Sequence, residues 1–259
     1  MTPTTSIAVH GAAGRMGREI VRLALADPRV AIVAALVKSK EDAVHVDGIA
    51  ASTSLDAGVA PSVLIDFSVA DAFDGALDLA CSRRIAFVSG TTGLSPIQSG
   101  ALRDAAKTIP VLWSANFSLG IAVLTRLARE AARALAAWDC EIAESHHRNK
   151  KDAPSGTALA LGRAIADARG VAFEDVAERD RANTPRNDAS SIGFAVTRAG
   201  DVVGEHTVML AGAGERIELT HRATDRAIFA RGAIEAAIWL ATQRPGSYAV
   251  ADVLGLRSD

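Results

Sequence analysis

The densest run of reactive side chains in the sequence is Glu144-Ser145-His146-His147-Arg148-Asn149-Lys150-Lys151-Asp152-Ala153-Pro154-Ser155-Gly156-Thr157. Two of the six histidines and three cations fall within six positions, flanked by apolar stretches on both sides. Imidazole titrates near neutrality and is the commonest general acid or base, and lysines beside it can donate protons or compensate an anion. The run ends in Pro154-Ser155-Gly156-Thr157, which reads as the opening of a helix. Such an opening exposes backbone N–H groups and hydroxyls, a ready cradle for a carboxylate. A solvated polar loop is the plain alternative, and the helix-opening end argues against it. Metal binding is disfavoured: adjacent histidines on a strand face opposite ways, and neither HExxH nor a carboxylate cluster accompanies them. Nucleophilic catalysis finds no support either, since Cys140 sits in a strand and no G-x-S-x-G elbow occurs. The expected chemistry is proton transfer to a small carboxylate substrate.

A second candidate site lies near the start. Gly11-Ala12-Ala13-Gly14-Arg15-Met16-Gly17 joins a short apolar strand, Ser6–His10, to a helix over Gly17–Ala26. Glycines there allow a tight turn and close approach of backbone N–H groups to a diphosphate, and the helix start favours the anion. The spacing is G-x-x-G-x-x-G, not the standard fingerprint, so a plain tight turn stays open as the alternative. At the tip of the next strand, where an acidic residue would hold the ribose hydroxyls of NAD, the sequence reads Val37-Lys38-Ser39-Lys40. Lysine suits a 2′-phosphate, so the reading leans to NADPH without excluding NADH; a solvated lysine pair is the bland alternative.

The elements that must carry these sites alternate at first. Strands at Ser6–His10, Val30–Val37, Val63–Asp66, Ile85–Val88 and Val111–Trp113 are separated by helical stretches at Gly17–Ala26, Asp71–Cys81 and Ser95–Ala106. That order calls for a parallel, doubly wound α/β sheet, with Val30–Val37 apolar enough to be covered on both faces. After Asn116 the pattern changes to a long helix Leu119–Ala137, a brief strand Cys140–Ala143 and a helix Ser155–Arg169. Three strands, Ser191–Arg198, Val203–Leu210 and Arg216–His221, then follow with only turns between them, as in an antiparallel meander. Ala227–Gln243 returns to helix. Two domains are expected: residues 1–118, completed by 227–259, and residues 119–226.

Composition sets the outer bounds. The 259 residues are 49% hydrophobic and 22% charged, with a formal net charge of −2, so no basic footprint for nucleic acid or an acidic membrane is present. Aromatic residues are 4%, which argues against a base- or sugar-stacking surface. Cys81 and Cys140 lack the spacing of a zinc site or disulfide framework and read as reduced core residues. No signal peptide precedes the first strand and no apolar run reaches membrane-spanning length, so a soluble cytoplasmic protein is expected.

Six blocks together resemble the 4-hydroxy-tetrahydrodipicolinate (dihydrodipicolinate) reductase family: Gly11–Gly17, Gly90-Thr91-Thr92-Gly93, Ser114–Ser118, Glu144–Thr157, Arg198–His206 and Thr220–Arg226. The resemblance implies a Rossmann-type cofactor domain, a substrate domain whose open mixed sheet builds a homotetramer, and reduction of the 4-hydroxy compound by NADPH or NADH with loss of water. It assigns Gly11, Ala12, Ala13, Gly14, Arg15, Met16, Lys38, Gly90, Thr91, Thr92, Ser114, Ala115, Asn116 and Phe117 to the cofactor. His146 becomes a proton donor and acceptor and Lys150 a proton donor. His147, Ser155, Gly156 and Thr157 hold substrate carboxylates. Two departures stand out: members that use NADH well carry an acidic residue where this chain has Val37, and the stretch Ser39–Thr53 is shorter and lacks the usual Gly-Ser pattern. The rivals are another small-carboxylate oxidoreductase, which need not carry all six blocks, and a nucleotide-sensing regulator, which has no use for His146 and Lys150.

Overall fold

The structure, a computed structural model, describes residues 4–39, 44–180, 183 and 190–256. In chain order the elements are β1 (Thr5–His10), α1 (Arg15–Leu25), β2 (Val30–Leu36), β3 (His45–Val46), β4 (Ile49–Ser52), β5 (Val63–Asp66), α2 (Ala70–Arg83), β6 (Ala86–Ser89), α3 (Pro96–Ala105), β7 (Pro110–Trp113), α4 (Leu119–Ala134), β8 (Asp139–His146), α5 (Gly156–Arg169), α6 (Phe173–Val176), β9 (Ala177–Glu178), β10 (Ile192–Arg198), β11 (Gly204–Gly212), β12 (Glu215–Ala223), α7 (Ala227–Leu240), β13 (Gly246–Tyr248) and α8 (Val250–Val253). They fall into two compact units, Met1–Leu119 with Ala227–Asp259, and Gly120–Arg226.

The first unit holds an eight-stranded sheet in the order β13-β7-β6-β5-β1-β2-β4-β3. Every described ladder is parallel except β3 with β4. Strand order reverses at β1, with β2 on one side and β5 on the other, and such a switch point opens a crevice beyond the carboxyl ends of the strands. β5 and β6 are buried at every position, as strands covered on both faces must be. The expectation of two-sided cover fails for β2: Ala31 is exposed and Val33 is 38% exposed. Its outer neighbour β4 pairs only with Ala35 and Leu36, leaving the first half of β2 near an edge. Helix α7 returns to this unit and packs closely, since a Cβ at Gly232 would lie 1.8 Å from the Phe117 carbonyl oxygen.

The second unit holds a five-stranded mixed sheet in the order β12-β11-β8-β10-β9. The expected antiparallel meander is half right. β11 and β12 form a hairpin, but β10 is not their neighbour: β8 lies between β10 and β11, parallel to the first and antiparallel to the second. Helix α5 provides the crossover from β8 to β10. Residues flanking the Ala199-Gly200-Asp201 turn therefore span β8 instead of closing a tight hairpin. The strand expected at Cys140–Ala143 runs on to His146, and helix α4 stops at Ala134. Cys140, Ile142, Leu161, Ile165, Phe194, Val208 and Leu210 form the core between this sheet and α4 and α5. Among the described residues no helix is long and apolar enough to cross a membrane.

Candidate functional site

Two clusters of functional side chains emerge, one in each unit. In the first, a cleft of about 1040 Å³ opens over the ends of β1, β2 and β5. Of the residues assigned to a cofactor from sequence, Gly11, Ala13, Gly14, Arg15, Met16, Lys38, Gly90 and Thr92 line it. Ala12 and Thr91 are buried. The glycines are there for contact: Gly11 has φ +75° and its Cβ would lie 2.7 Å from the Phe67 carbonyl oxygen, and a Cβ at Gly17 would lie 2.2 Å from the Gly11 oxygen. Val37 is buried and its N–H donates to Ser52, whereas Lys38 is exposed on the cleft wall. Lys40 lies outside the described residues. Ser114, Ala115, Asn116 and Phe117 are not part of the cleft lining. Ser114 Oγ and Asn116 close a local turn, and Phe117 is buried with its ring 5.4 Å from that of Phe67.

Beneath the cleft Asp66, fully buried at the end of β5, gathers donors from four residues. Its Oδ1 accepts from Ser68 Oγ at 2.6 Å and from His10 Nδ1 at 2.8 Å; its Oδ2 accepts from Thr91 Oγ1 at 2.8 Å and Ser89 Oγ at 2.9 Å. Burial pushes this carboxyl up, but the hydrogen bonds from His10, Ser68 and Thr91 outweigh it and hold the group below the usual carboxylate range.

In the second unit the period of two along β8 places Glu144 and His146 on the same face as Cys140 and Ile142. Glu144 is 2% exposed and acts as a hub. Arg198 grips it through two guanidinium nitrogens at 2.8 and 3.1 Å, the Ser155 N–H donates to it at 3.0 Å, and His146 Nδ1 meets Oε2. Burial raises the Glu144 carboxyl, but Arg198, His146 and the Ser155 amide together pull it below its ordinary value. Ser155 caps α5, its Oγ accepting from the Ala158 N–H at 3.2 Å and sitting 3.1 Å from His206 Nε2. The His146 and His206 rings meet edge to face at 5.1 Å. Desolvation pushes the His206 imidazole down to about 4 and also lowers His146, where Glu144 opposes the shift. Lys150 Nζ lies 3.0 Å from Asp152 Oδ1; burial raises the Asp152 carboxyl, but Lys150 and nearby backbone N–H groups hold it below its ordinary value.

Glu144, His146 and His206 bring potential ligand atoms within 4.8 Å of one another. A divalent cation fits poorly there, because the Arg198 guanidinium already occupies both oxygens of the single carboxylate. The arrangement suits proton transfer instead. Glu144 orients His146 by Nδ1, and the ring's Nε2 has room because Gly204 offers no Cβ, which would lie 3.0 Å away.

The sequence matches the profile described as dihydrodipicolinate reductase, N-terminus, over residues 5–117, and that described as dihydrodipicolinate reductase, C-terminus, over residues 120–254. The chain belongs to the dihydrodipicolinate reductase family. It is 49% identical over 249 residues to the 4-hydroxy-tetrahydrodipicolinate reductase of Stenotrophomonas maltophilia (strain K279a), covering 95% of this chain and 96% of that one. With the enzyme of the same name from Alkalilimnicola ehrlichii the identity is 46% over 266 residues, covering 98% and 100%. The dipicolinate-bound dihydrodipicolinate reductase from Paenisporosarcina sp. TG-14 shares the fold at a TM-score of 0.78 and 22% identity, over 96% of this chain and 98% of that one.

Within this family frame, the structure adds residues to which sequence reasoning gave no role. Glu144 carried a signal, since Cys140-x-Ile142-x-Glu144-x-His146 places an acid on a core-facing row. Arg198 and His206 meet the cluster only through the register Arg198↔His146 and His206↔Glu144. Asp66 is an aspartate ending an otherwise apolar strand, and His10 directly precedes the glycine turn.

Proposed function

We propose that this chain is an NAD(P)H-dependent oxidoreductase that reduces 4-hydroxy-tetrahydrodipicolinate to tetrahydrodipicolinate with loss of water, in lysine and diaminopimelate biosynthesis, with NADPH preferred over NADH. The observation that carries the reading is the Glu144 hub, which ties an acid–base histidine, an arginine and the capped start of α5 into one buried cluster. Family membership of both units names the reaction. When bound, the nicotinamide supplies the hydride. His146 takes or gives a proton at Nε2, its Nδ1 held by Glu144. Lys150 donates a proton as the ring accepts the hydride, and water leaves from the 4-position. His147 and the Ser155, Gly156 and Thr157 opening of α5 hold the carboxylates. The glycine turn from Gly11 to Met16 binds the diphosphate, Gly90 to Thr92 and Ser114 to Phe117 also serve the cofactor, and Lys38 favours the 2′-phosphate. The enzyme works in the cytoplasm as a homotetramer built on the second sheet, whose face away from α4 and α5 carries short or polar residues such as Ala143, Ala195 and Thr207, none of them buried.

The test is the fall in NADPH absorbance with enzymatically made substrate, for the unaltered chain and for Lys150→Ala. General acids contribute about 10²–10⁴-fold, so the variant should lose about that factor in kcat while binding NADPH normally. No turnover by the unaltered chain refutes the reaction; near-normal turnover by Lys150→Ala removes Lys150 from it.

A further inference from the structure

His10 ends β1 with its side chain 21% exposed and lines the dinucleotide cleft, yet it is tied from below to the fully buried Asp66. Without His10 the aspartate would still accept from Ser68, Ser89 and Thr91, so the imidazole is not needed to satisfy it. Because Asp66 is an anion with acceptors only, His10 Nδ1 must carry the proton and donate. With Nδ1 so engaged, Nε2 is the one remaining polar atom the ring can offer to the cleft.

Topology says which part of a dinucleotide meets it. The turn after β1 binds the diphosphate, and the residues after β2, Lys38 among them, face the adenosine ribose. His10 leans the other way, toward β5. We infer that His10 is a contact for the middle of the dinucleotide, hydrogen-bonding a hydroxyl of the nicotinamide-side ribose through Nε2, and that Asp66 is the positioning residue that holds its ring in place. The inference rests on the dinucleotide reading above. It also gives Asp66 a wider task, since the same carboxylate holds Ser68, whose backbone and hydroxyl flank the cleft, and Thr91 between the cleft residues Gly90 and Thr92.

Calorimetric titration of the full chain with NADPH and with adenosine 2′-monophosphate tests this. One neutral hydrogen bond corresponds to about a 3- to 10-fold change in affinity. His10→Ala should weaken NADPH by that factor and raise its KM in parallel, with kcat at saturating NADPH unchanged. Adenosine 2′-monophosphate, which reaches only the adenosine side, should bind His10→Ala within twofold of the unaltered chain but weaken in Lys38→Ala. His10→Asn, which keeps an N–H for Asp66 but is too short to reach the ligand, should weaken NADPH equally even where its melting temperature is unchanged. Asp66→Asn should weaken NADPH at least as much, and adding His10→Ala to it should cost less than His10→Ala costs alone. NADPH affinity within twofold in both His10 variants overturns the inference, as does an additive cycle. An unaltered chain that binds neither NADPH nor NADH overturns the dinucleotide reading itself, and this inference with it.

Discussion

Replacing Glu144 by glutamine removes one charge and almost no volume, so its effect isolates what the carboxylate does. The native group accepts from two Arg198 nitrogens, the Ser155 N–H and His146 Nδ1. An amide can still offer its oxygen to Ser155 and one arginine nitrogen, but its NH₂ then faces both the other Arg198 nitrogen and His146 Nδ1. Facing His146, it forces Nδ1 to accept and moves the ring proton to Nε2, the wrong tautomer for a base working from that atom. Breaking a buried pair costs about 3–5 kcal/mol; Arg198 retains 18% exposure and a 2.6 Å hydrogen bond to the Asp152 carbonyl, so the lower half of that range is expected. The kinetic loss should be about 10²-fold or more in kcat, the scale of a general acid–base contribution. NADPH affinity, which belongs to the other unit, should stay within twofold. Glu144 also raises the His146 imidazole against desolvation, so its loss should move the pH-profile limb that His146 controls to lower pH. Steady-state kinetics across pH, with urea midpoints for stability, make the measurement. A Glu144→Gln enzyme with near-normal kcat and an unmoved limb would refute the hub's role in orienting His146.

The other predictions concern substrate, cofactor and acid stability. Pyridine-2,6-dicarboxylate should compete with substrate, and Thr157→Val should weaken that inhibition by one charged hydrogen bond, about 1.5–3 kcal/mol; no inhibition at millimolar concentration would sink the dicarboxylate cradle. KM for NADPH should be lower than for NADH by roughly 5–30-fold at low salt, with the gap closing as salt rises and reversing direction in Lys38→Glu; equal use of NADH by the unaltered chain would refute the Val37-Lys38 reading. His206 is held neutral in the fold, at about 4 against an ordinary 6.5. Below 6.5 the unfolded chain therefore takes up a proton that the folded one refuses, and about 3 kcal/mol of stability is lost as pH falls from 6.5 to 4. His206→Gln should flatten that part of the urea-midpoint profile, and an unchanged slope would rule this out.

Much of the first unit was legible because its signals are local. An apolar strand, a glycine turn and a helix need only neighbouring residues, and Gly11 and Gly17 stand where backbone atoms leave no room for a Cβ. Cover over β2 was misjudged because apolar letters do not say how far the next strand extends. In the second unit the strands were visible but their order was not. Alternation shows which residues share a face, whereas the insertion of β8 between β10 and β11 depends on pairing across more than fifty residues. The same limit hid half of the acid–base cluster. His146 and Lys150 stand four positions apart in one polar run and stood out, but Arg198 and His206 join Glu144 only when three strands come into register. Nor could the family block say that the Phe117 side chain is buried, packed between Phe67 and Gly232.

On the proposed reading, Asp152 would make the carboxylate cradle behave as an ion exchanger. Its own carboxylate already lies 3.0 Å from Lys150 and is held below its ordinary value by Lys150 and by backbone N–H groups beside it, among them that of Gly156 at the start of α5. On the proposed reading these are groups a substrate would use. An arriving carboxylate then trades places with one that is already there, and that exchange alone gains little, because each anion is about as well satisfied before as after. The surplus must come from the rest of the ligand: a second carboxylate and a ring of the right shape. A monocarboxylate would complete the exchange and gain almost nothing more. Selection for two acid groups would then need no second wall in the pocket; a resident counter-ion would set a threshold that only a two-anion ligand clears.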